Sequence, residues 1–226
     1  MSNAIFKNIS RLMACLWTVA MLLSYLCPVA MADELSRPEV TSGCHTLDAA
    51  MPLVDSKILK TTNAAIVYEM NSETLVYAYN PDERIYPSSM VKLMTALVAL
   101  EKGDLSDEVT VTKRALNLLT AGAATAGLVA GEELTLEQLL YCLMVGSAND
   151  AALVIAEHIG GNQDIFVTMM NQKAAELGCT GTHYMNAHGL HHDDHYTTAR
   201  DMAKIAATAM QYPIFEEIFT TSEYTV

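Results

Sequence analysis

"YPSSMVKLMTALVAL", residues 86–100, is a run of apolar and small polar residues that holds a single charge, Lys92, three residues after Ser89. Its apolar density and the Gly103 that follows predict a core helix over Ser89–Glu101. A serine at the start of a helix and a lysine one turn later share a face, so the Lys92 ammonium can reach the Ser89 hydroxyl. A serine hydroxyl is a weak nucleophile until something accepts its proton. A lysine accepts it when burial drives the amine toward its neutral form, and an apolar helix supplies that burial. The helix start also turns backbone N–H groups toward an oxyanion formed on Ser89. The alternative is structural: Ser89 caps the helix and Lys92 extends its head to solvent. An isolated S-x-x-K arises about once by composition in a chain of this length, so a second element is needed to decide.

Working outward, "AAIVYEM" (64–70) and "TLVYAY" (74–79) are rich in β-branched and aromatic residues around a turn-like Asn71-Ser72-Glu73, which predicts a β-hairpin. After Ser88 the pattern is mostly helical. Thr135-Leu136-Glu137-Gln138 has the form of a capping box and predicts a helix through Val145. Further helices are expected from Asn149 or Asp150 to Ile159, from Gln163 to Leu177 and from Thr198 to Met210, the last with Thr198 as N-cap and Pro213 beyond its end. Val109–Thr112 and Tyr224–Val226 are short strand candidates. The Gly/Ala-rich stretch Thr120–Gly131 reads as a flexible surface loop. Two strands followed by helices indicate an α+β chain with one domain.

The N-terminus carries Lys7 and Arg11, an apolar stretch from Leu12 to Leu26 and a small-x-small site at Ala30-Met31-Ala32, the pattern of a cleaved signal sequence over residues 1–32. The protein is therefore expected to be exported, to the periplasm or the outer face of the cytoplasmic membrane and cell wall. Residues 33–62 read as an irregular leader, and 63–226 as the domain. With 13 basic against 26 acidic residues and a net charge of −13, nucleic acid is excluded as a general partner. Of five cysteines, Cys15 and Cys27 leave with the signal. Cys142 lies in an apolar run and reads as a buried small side chain, while a bridge between Cys44 and Cys179 is an option in an oxidising compartment.

The second element is "MVGSANDAALVIAEHIGG", residues 144–161. It places Ser147-Ala148-Asn149 between two apolar helices, where short polar side chains can enter a cleft; the alternative is a polar turn with Asn149 or Asp150 capping the next helix. Pro87-Ser88-Ser89-Met90-Val91-Lys92 followed by Ser147-Ala148-Asn149-Asp150-Ala151-Ala152 resembles the S-x-x-K and S-x-N signatures of the penicillin-binding serine peptidases, in the wording of the low-molecular-mass D-alanyl-D-alanine carboxypeptidases. "FVTMMNQKAAELG" (166–178) and "NAHGLHHDDHYTTARDMAKIA" (186–206) extend the resemblance over nearly the whole chain beyond the signal. It implies a β-lactamase/transpeptidase-like α+β fold, an antiparallel sheet flanked by helices plus a helical lobe. It further implies Ser89 as nucleophile, Lys92 as general base, Ser147 as proton relay, and Asn149 as the group that orients substrate and Lys92. The implied substrate is a peptidoglycan stem peptide ending in D-Ala-D-Ala. β-Lactams are the implied inhibitors, and no cofactor is called for.

The family's third motif, K-T-G, is absent. Lys60-Thr61-Thr62 resembles it in letters but precedes the nucleophile. The expectation is therefore the N-terminal portion of a longer domain, with an incomplete sheet, weak stability, impaired activity and any membrane attachment in a missing C-terminal segment. Three other readings stay open. His188, His191, His192, Asp193, Asp194 and His195 could serve a zinc site, although their spacing matches no H-E-x-x-H helix. A serine β-lactamase would need a deacylating glutamate, and no E-x-x-L-N pattern follows Asn149. A non-catalytic cell-wall binding fragment is the third.

Overall fold

In the computed structural model, residues 62–72 and 74–225 are described. The signal segment, Cys44, and the leader up to residue 61 lie outside them. In chain order the elements are β1 (Ala65–Glu69), β2 (Thr74–Tyr79), a 3-10 turn over Ser88–Met90, α1 (Val91–Lys102), β3 (Glu108–Thr110), α2 (Lys113–Leu116), β4 (Glu133–Thr135), α3 (Leu136–Val145), α4 (Asn149–Gly160), α5 (Gln163–Glu176), α6 (Ala199–Ala209) and α7 (Pro213–Thr220).

The quoted run forms the central helix. α1 packs against α3, α4, α5 and α6, and Val91, Met94, Ala96, Leu97, Val98 and Ala99 are at most 1% exposed. A helix with neighbours on every side has no solvated stripe, which is why its apolar residues follow no single face. Each fully buried Met or Leu side chain contributes about 1.5–3 kcal/mol. Gly103 ends α1 where a Cβ would collide with the Leu136 side chain and lie 2.7 Å from Ile159 Cδ1.

Local caps form as their residue types dictate. Thr135 and Gln138 complete the capping box of α3: the Gln138 N–H donates to Thr135 Oγ1 at 3.1 Å and the Thr135 N–H donates to Gln138 Oε1 at 2.8 Å. Thr198 Oγ1 accepts the Asp201 N–H at the start of α6, and Asn162 Oδ1 accepts the Ile165 N–H at the start of α5.

The sheet is small among the described residues. β1 and β2 pair antiparallel with a register shift between Val67 and Tyr68, and β3 pairs antiparallel with β4 in a separate two-stranded sheet. Val67, Tyr68, Met70, Val76 and Tyr79 of the hairpin and its turn are 36–48% exposed, so its apolar side chains are only partly covered by described residues. β4 has only three residues, too few for a period-2 pattern to register in the sequence. The Tyr224–Val226 strand candidate is corrected: Tyr224 and Thr225 form no strand, and the Tyr224 ring stacks on Tyr141 at 3.9 Å between centroids. α6 ends at Ala209, ahead of Pro213, and Pro213 itself opens α7, because a first-turn residue needs no N–H.

The segment leading to Ser89 is fastened to the start of α6. Arg200 makes two hydrogen bonds to the Asp82 carboxylate at 2.7 and 2.9 Å, Ile85 and Thr197 exchange backbone hydrogen bonds at 2.9 Å, and the Arg84 guanidinium lies 4.1 Å above the Tyr196 ring. Cys142 and Cys179 are buried free thiols whose pKa values burial pushes up to about 11, which keeps them unreactive.

Candidate active site

Ser89 lies on the 3-10 turn that leads into α1 and is exposed, while Lys92 on the first turn of α1 is 2% exposed. The hydroxyl is thus open to a ligand and the amine is not. Ser88, just before, holds φ at +49°, a left-handed conformation costly for any residue with a Cβ. Such strain persists only where neighbours enforce it. Gly189, itself at φ +92°, packs against this peptide: a Cβ there would overlap the Ser88 carbonyl and come within 3.0 Å of the Ser89 nitrogen. The loop 186–190 therefore lies directly on the Ser88–Ser89 peptide.

That loop is locked by buried polar groups. Asn186 Oδ1 accepts the N–H groups of His188 and Gly189 at 3.2 and 2.6 Å, and its Nδ2 donates to the Leu190 carbonyl. Two bonds tie it to α1: Thr95 Oγ1 donates to the Ala187 carbonyl at 2.7 Å, and Lys92 Nζ donates to the His188 carbonyl at 2.8 Å. The second partner of Lys92 is Asn149 Oδ1 at 2.7 Å. Burial pushes the Lys92 pKa from about 10.5 down to about 8, against the Asp150 carboxylate, which favours the charged form.

Of the residues singled out by sequence, Lys92 and Asn149 are thus in direct contact. Ser147 is half-buried at φ +49°, in the reversal between α3 and α4 two residues before Asn149. Among the described residues neither the Ser89 nor the Ser147 hydroxyl is engaged in a hydrogen bond. The two motif serines are therefore adjacent to, or themselves in, left-handed backbone. The Thr120–Gly131 stretch, expected to be a flexible loop, does lie at the surface but is tied to α4. The Asn149 N–H donates to the Ala124 carbonyl, and the Ala126, Gly127 and Leu128 N–H groups donate to Asp150.

The imidazole-rich segment divides. His188 and His195 turn inward, and burial holds both near pKa 4, hence neutral; His195 sits edge-on to Tyr184 at 5.7 Å. His192, Asp193 and Asp194 are exposed, and the His191 ring meets Tyr86 edge-on at 4.6 Å, close in sequence to the Ser88–Met90 turn. No group of three His, Cys, Asp or Glu side chains among the described residues is arranged to hold a metal ion. Asn186, Gly189, Thr95 and Asp150 carried no functional reading in the sequence. The glycine between His188 and Leu190 in "NAHGL" was the one available signal.

The sequence profile described as D-alanyl-D-alanine carboxypeptidase matches residues 54–226. The chain is 35% identical over 173 residues to the D-alanyl-D-alanine carboxypeptidase DacF of Bacillus subtilis, covering 74% of this chain and 44% of that one. It is 30% identical over 228 residues to the D-alanyl-D-alanine carboxypeptidase DacA of Escherichia coli, covering 95% and 53%. The chain thus spans about half the length of the curated relatives it matches. Among solved structures, it superposes on penicillin binding protein 5 from Haemophilus influenzae with a TM-score of 0.67 at 32% identity, over 72% of this chain and 49% of that one. The D-alanyl-D-alanine carboxypeptidase from Mycobacterium tuberculosis gives 0.64 at 34% identity, over 69% and 58%. The fold is that of these penicillin-binding enzymes, α+β and β-lactamase/transpeptidase-like. A serine and a buried lysine on one helix start, an asparagine bonded to that lysine, and a profile match over most of the sequence converge: the chain belongs to the D-alanyl-D-alanine carboxypeptidase family.

Proposed function

We propose that this chain carries the acylating machinery of an exported serine-type D-Ala-D-Ala carboxypeptidase, acting outside the cytoplasm on peptidoglycan stem peptides. The state of Lys92 carries this reading. A neutral amine has two N–H groups and one lone pair. Asn149 Oδ1 and the His188 carbonyl are both acceptors, so they take the two N–H groups and leave the lone pair free for a third partner. The Ser89 proton is that partner. Lys92 accepts it as Ser89 Oγ attacks the carbonyl carbon of the penultimate D-alanine, forming a C–O bond. The C–N bond then breaks, Ser147 passes a proton to the departing amine, and D-alanine leaves. Water hydrolyses the remaining ester and restores Ser89. Asn149 holds the acyl side-chain amide while orienting Lys92. β-Lactams acylate the same serine.

The test is release of D-alanine from an N-acylated peptide ending in D-Ala-D-Ala. Turnover is expected to be unaffected by chelators and lowered at least about 10³-fold by Ser89→Ala. Hydrolysis that survives Ser89→Ala, or that a chelator abolishes, would exclude this mechanism.

A further inference from the structure

Asp150 is 1% exposed and directly follows the asparagine that holds Lys92. As the second residue of α4 it could serve only its own helix, and Oδ1 does accept the Ala151 N–H at 3.0 Å. Its other three bonds go elsewhere: Oδ1 accepts the Ala126 N–H and Oδ2 accepts the Gly127 and Leu128 N–H groups, all at 3.0 Å. Three successive N–H groups converge on one carboxylate because Gly127, at φ +85°, turns the chain around it. The same segment bonds the preceding residue, the Asn149 N–H reaching the Ala124 carbonyl at 2.8 Å. Residues 124–128 thus grip the first two residues of α4, and the Asn149 side chain reaches Lys92 from that grip.

We infer that Asp150 is a positioning residue for the serine–lysine pair, fastening the 120–131 segment to α4 so that the Asn149 amide is held against Lys92. This rests on the proposed acylation of Ser89. The ionisable groups around Asp150 are Lys92 on α1 and Cys142 on α3; the 120–131 segment has none. Beyond Lys92 lies His188, buried and neutral. Asp150 therefore acts on Lys92 twice. Its geometry places the partner, and its charge draws the Lys92 pKa upward.

These effects separate in Asp150→Asn, studied in the full chain. Amide exchange at residues 126–128 is expected to rise at least about tenfold. Lys92, followed by NMR of its labelled side chain, should titrate at lower pH. Acylation of Ser89 by a fluorescent penicillin at pH 7 should nevertheless slow about 10–100-fold, because misplacement outweighs the gain in neutral amine. Asp201, the other buried carboxylate among the described residues, clamps the Gly181 N–H and the Thr182 hydroxyl instead. Asp201→Asn should leave the Lys92 titration in place. An unmoved Lys92 titration in Asp150→Asn, or acylation that is unchanged or faster, would overturn the inference. Gly127→Ala is the second variant should Asp150→Asn not fold, since a Cβ there meets nothing within 4 Å and only the turn is perturbed. It should slow acylation with the Lys92 titration kept, and unchanged acylation would count against the inference. If the parent chain is not acylated at all, the proposed function fails alone, and the exchange and titration arms still decide the positioning role.

Discussion

Gly189→Ala is expected to lower the rate of penicillin acylation at least about 100-fold and to destabilise the chain by about 3 kcal/mol or more. Two costs combine. A Cβ at residue 189 would overlap the Ser88 carbonyl, a backbone group that no side-chain rotation can remove, and φ +92° disfavours any L side chain. Either the Ser88–Ser89 peptide shifts, displacing Ser89, or the 186–190 loop withdraws and takes the His188 carbonyl away from Lys92. Both routes disable the same pair. Gly122→Ala is the control: its φ is +83° but a Cβ there meets nothing within 4 Å, so only the left-handed cost of about 1–2 kcal/mol applies. Stopped-flow labelling and thermal unfolding of the two variants check this. Parent-like acylation in Gly189→Ala would mean that the loop does not press on the Ser88–Ser89 peptide.

Lys92→Met is expected to reduce acylation about 10²–10⁴-fold, the usual contribution of a general base, while keeping most of the side chain's volume. The pH profile is the sharper signature. With Lys92 at about 8, the parent's acylation rate should rise tenfold per unit below that pH and level off above it, because only the neutral amine accepts the Ser89 proton. Stability follows from the same shift. The unfolded lysine titrates near 10.5 and the folded one near 8, so between those values the unfolded chain binds more protons and folding stability rises with pH. The burial cost is fully present below pH 8 and is gone above 10.5, a gain of about 3 kcal/mol. The difference between parent and Lys92→Met stabilities, measured by denaturant at pH 7 and pH 10.5, should change by about that amount. At pH 7 alone the comparison is less telling, since the variant also leaves Asn149 Oδ1 and the His188 carbonyl without a donor, each a cost of about 1–3 kcal/mol.

How much of this was legible in the sequence depended on distance along the chain. Thr135 with Gln138, and Thr198 with Asp201, act over three residues, and their caps could be read directly. The Ser89–Lys92 spacing and the Ser147–Asn149 turn were visible for the same reason. β4 was not, because three residues carry no period, and α7 was missed because Pro213 was placed beyond the end of α6 and not read as the start of another helix. Lys92 and Thr95 reach His188 and Ala187 across 96 and 92 residues, and nothing in "NAHGL" announces that its glycine must sit on Ser88. Asp150 was readable as a cap for α4. Its bonds to residues 126–128 depend on how the connection between α2 and β4 folds back, which no local pattern encodes. The motifs named the side chains proposed to react, and tertiary contacts supplied what surrounds them.

The most direct measurement is a peptide map by mass spectrometry after brief exposure of the chain to a penicillin near pH 8.5. One penicilloyl adduct per chain is expected, on the peptide containing Ser89, absent from Ser89→Ala and strongly reduced in Lys92→Met. An adduct on Ser88 or Ser147 in its place, or full labelling of Ser89 in Lys92→Met, would contradict the assignment of Ser89 as nucleophile and Lys92 as its base.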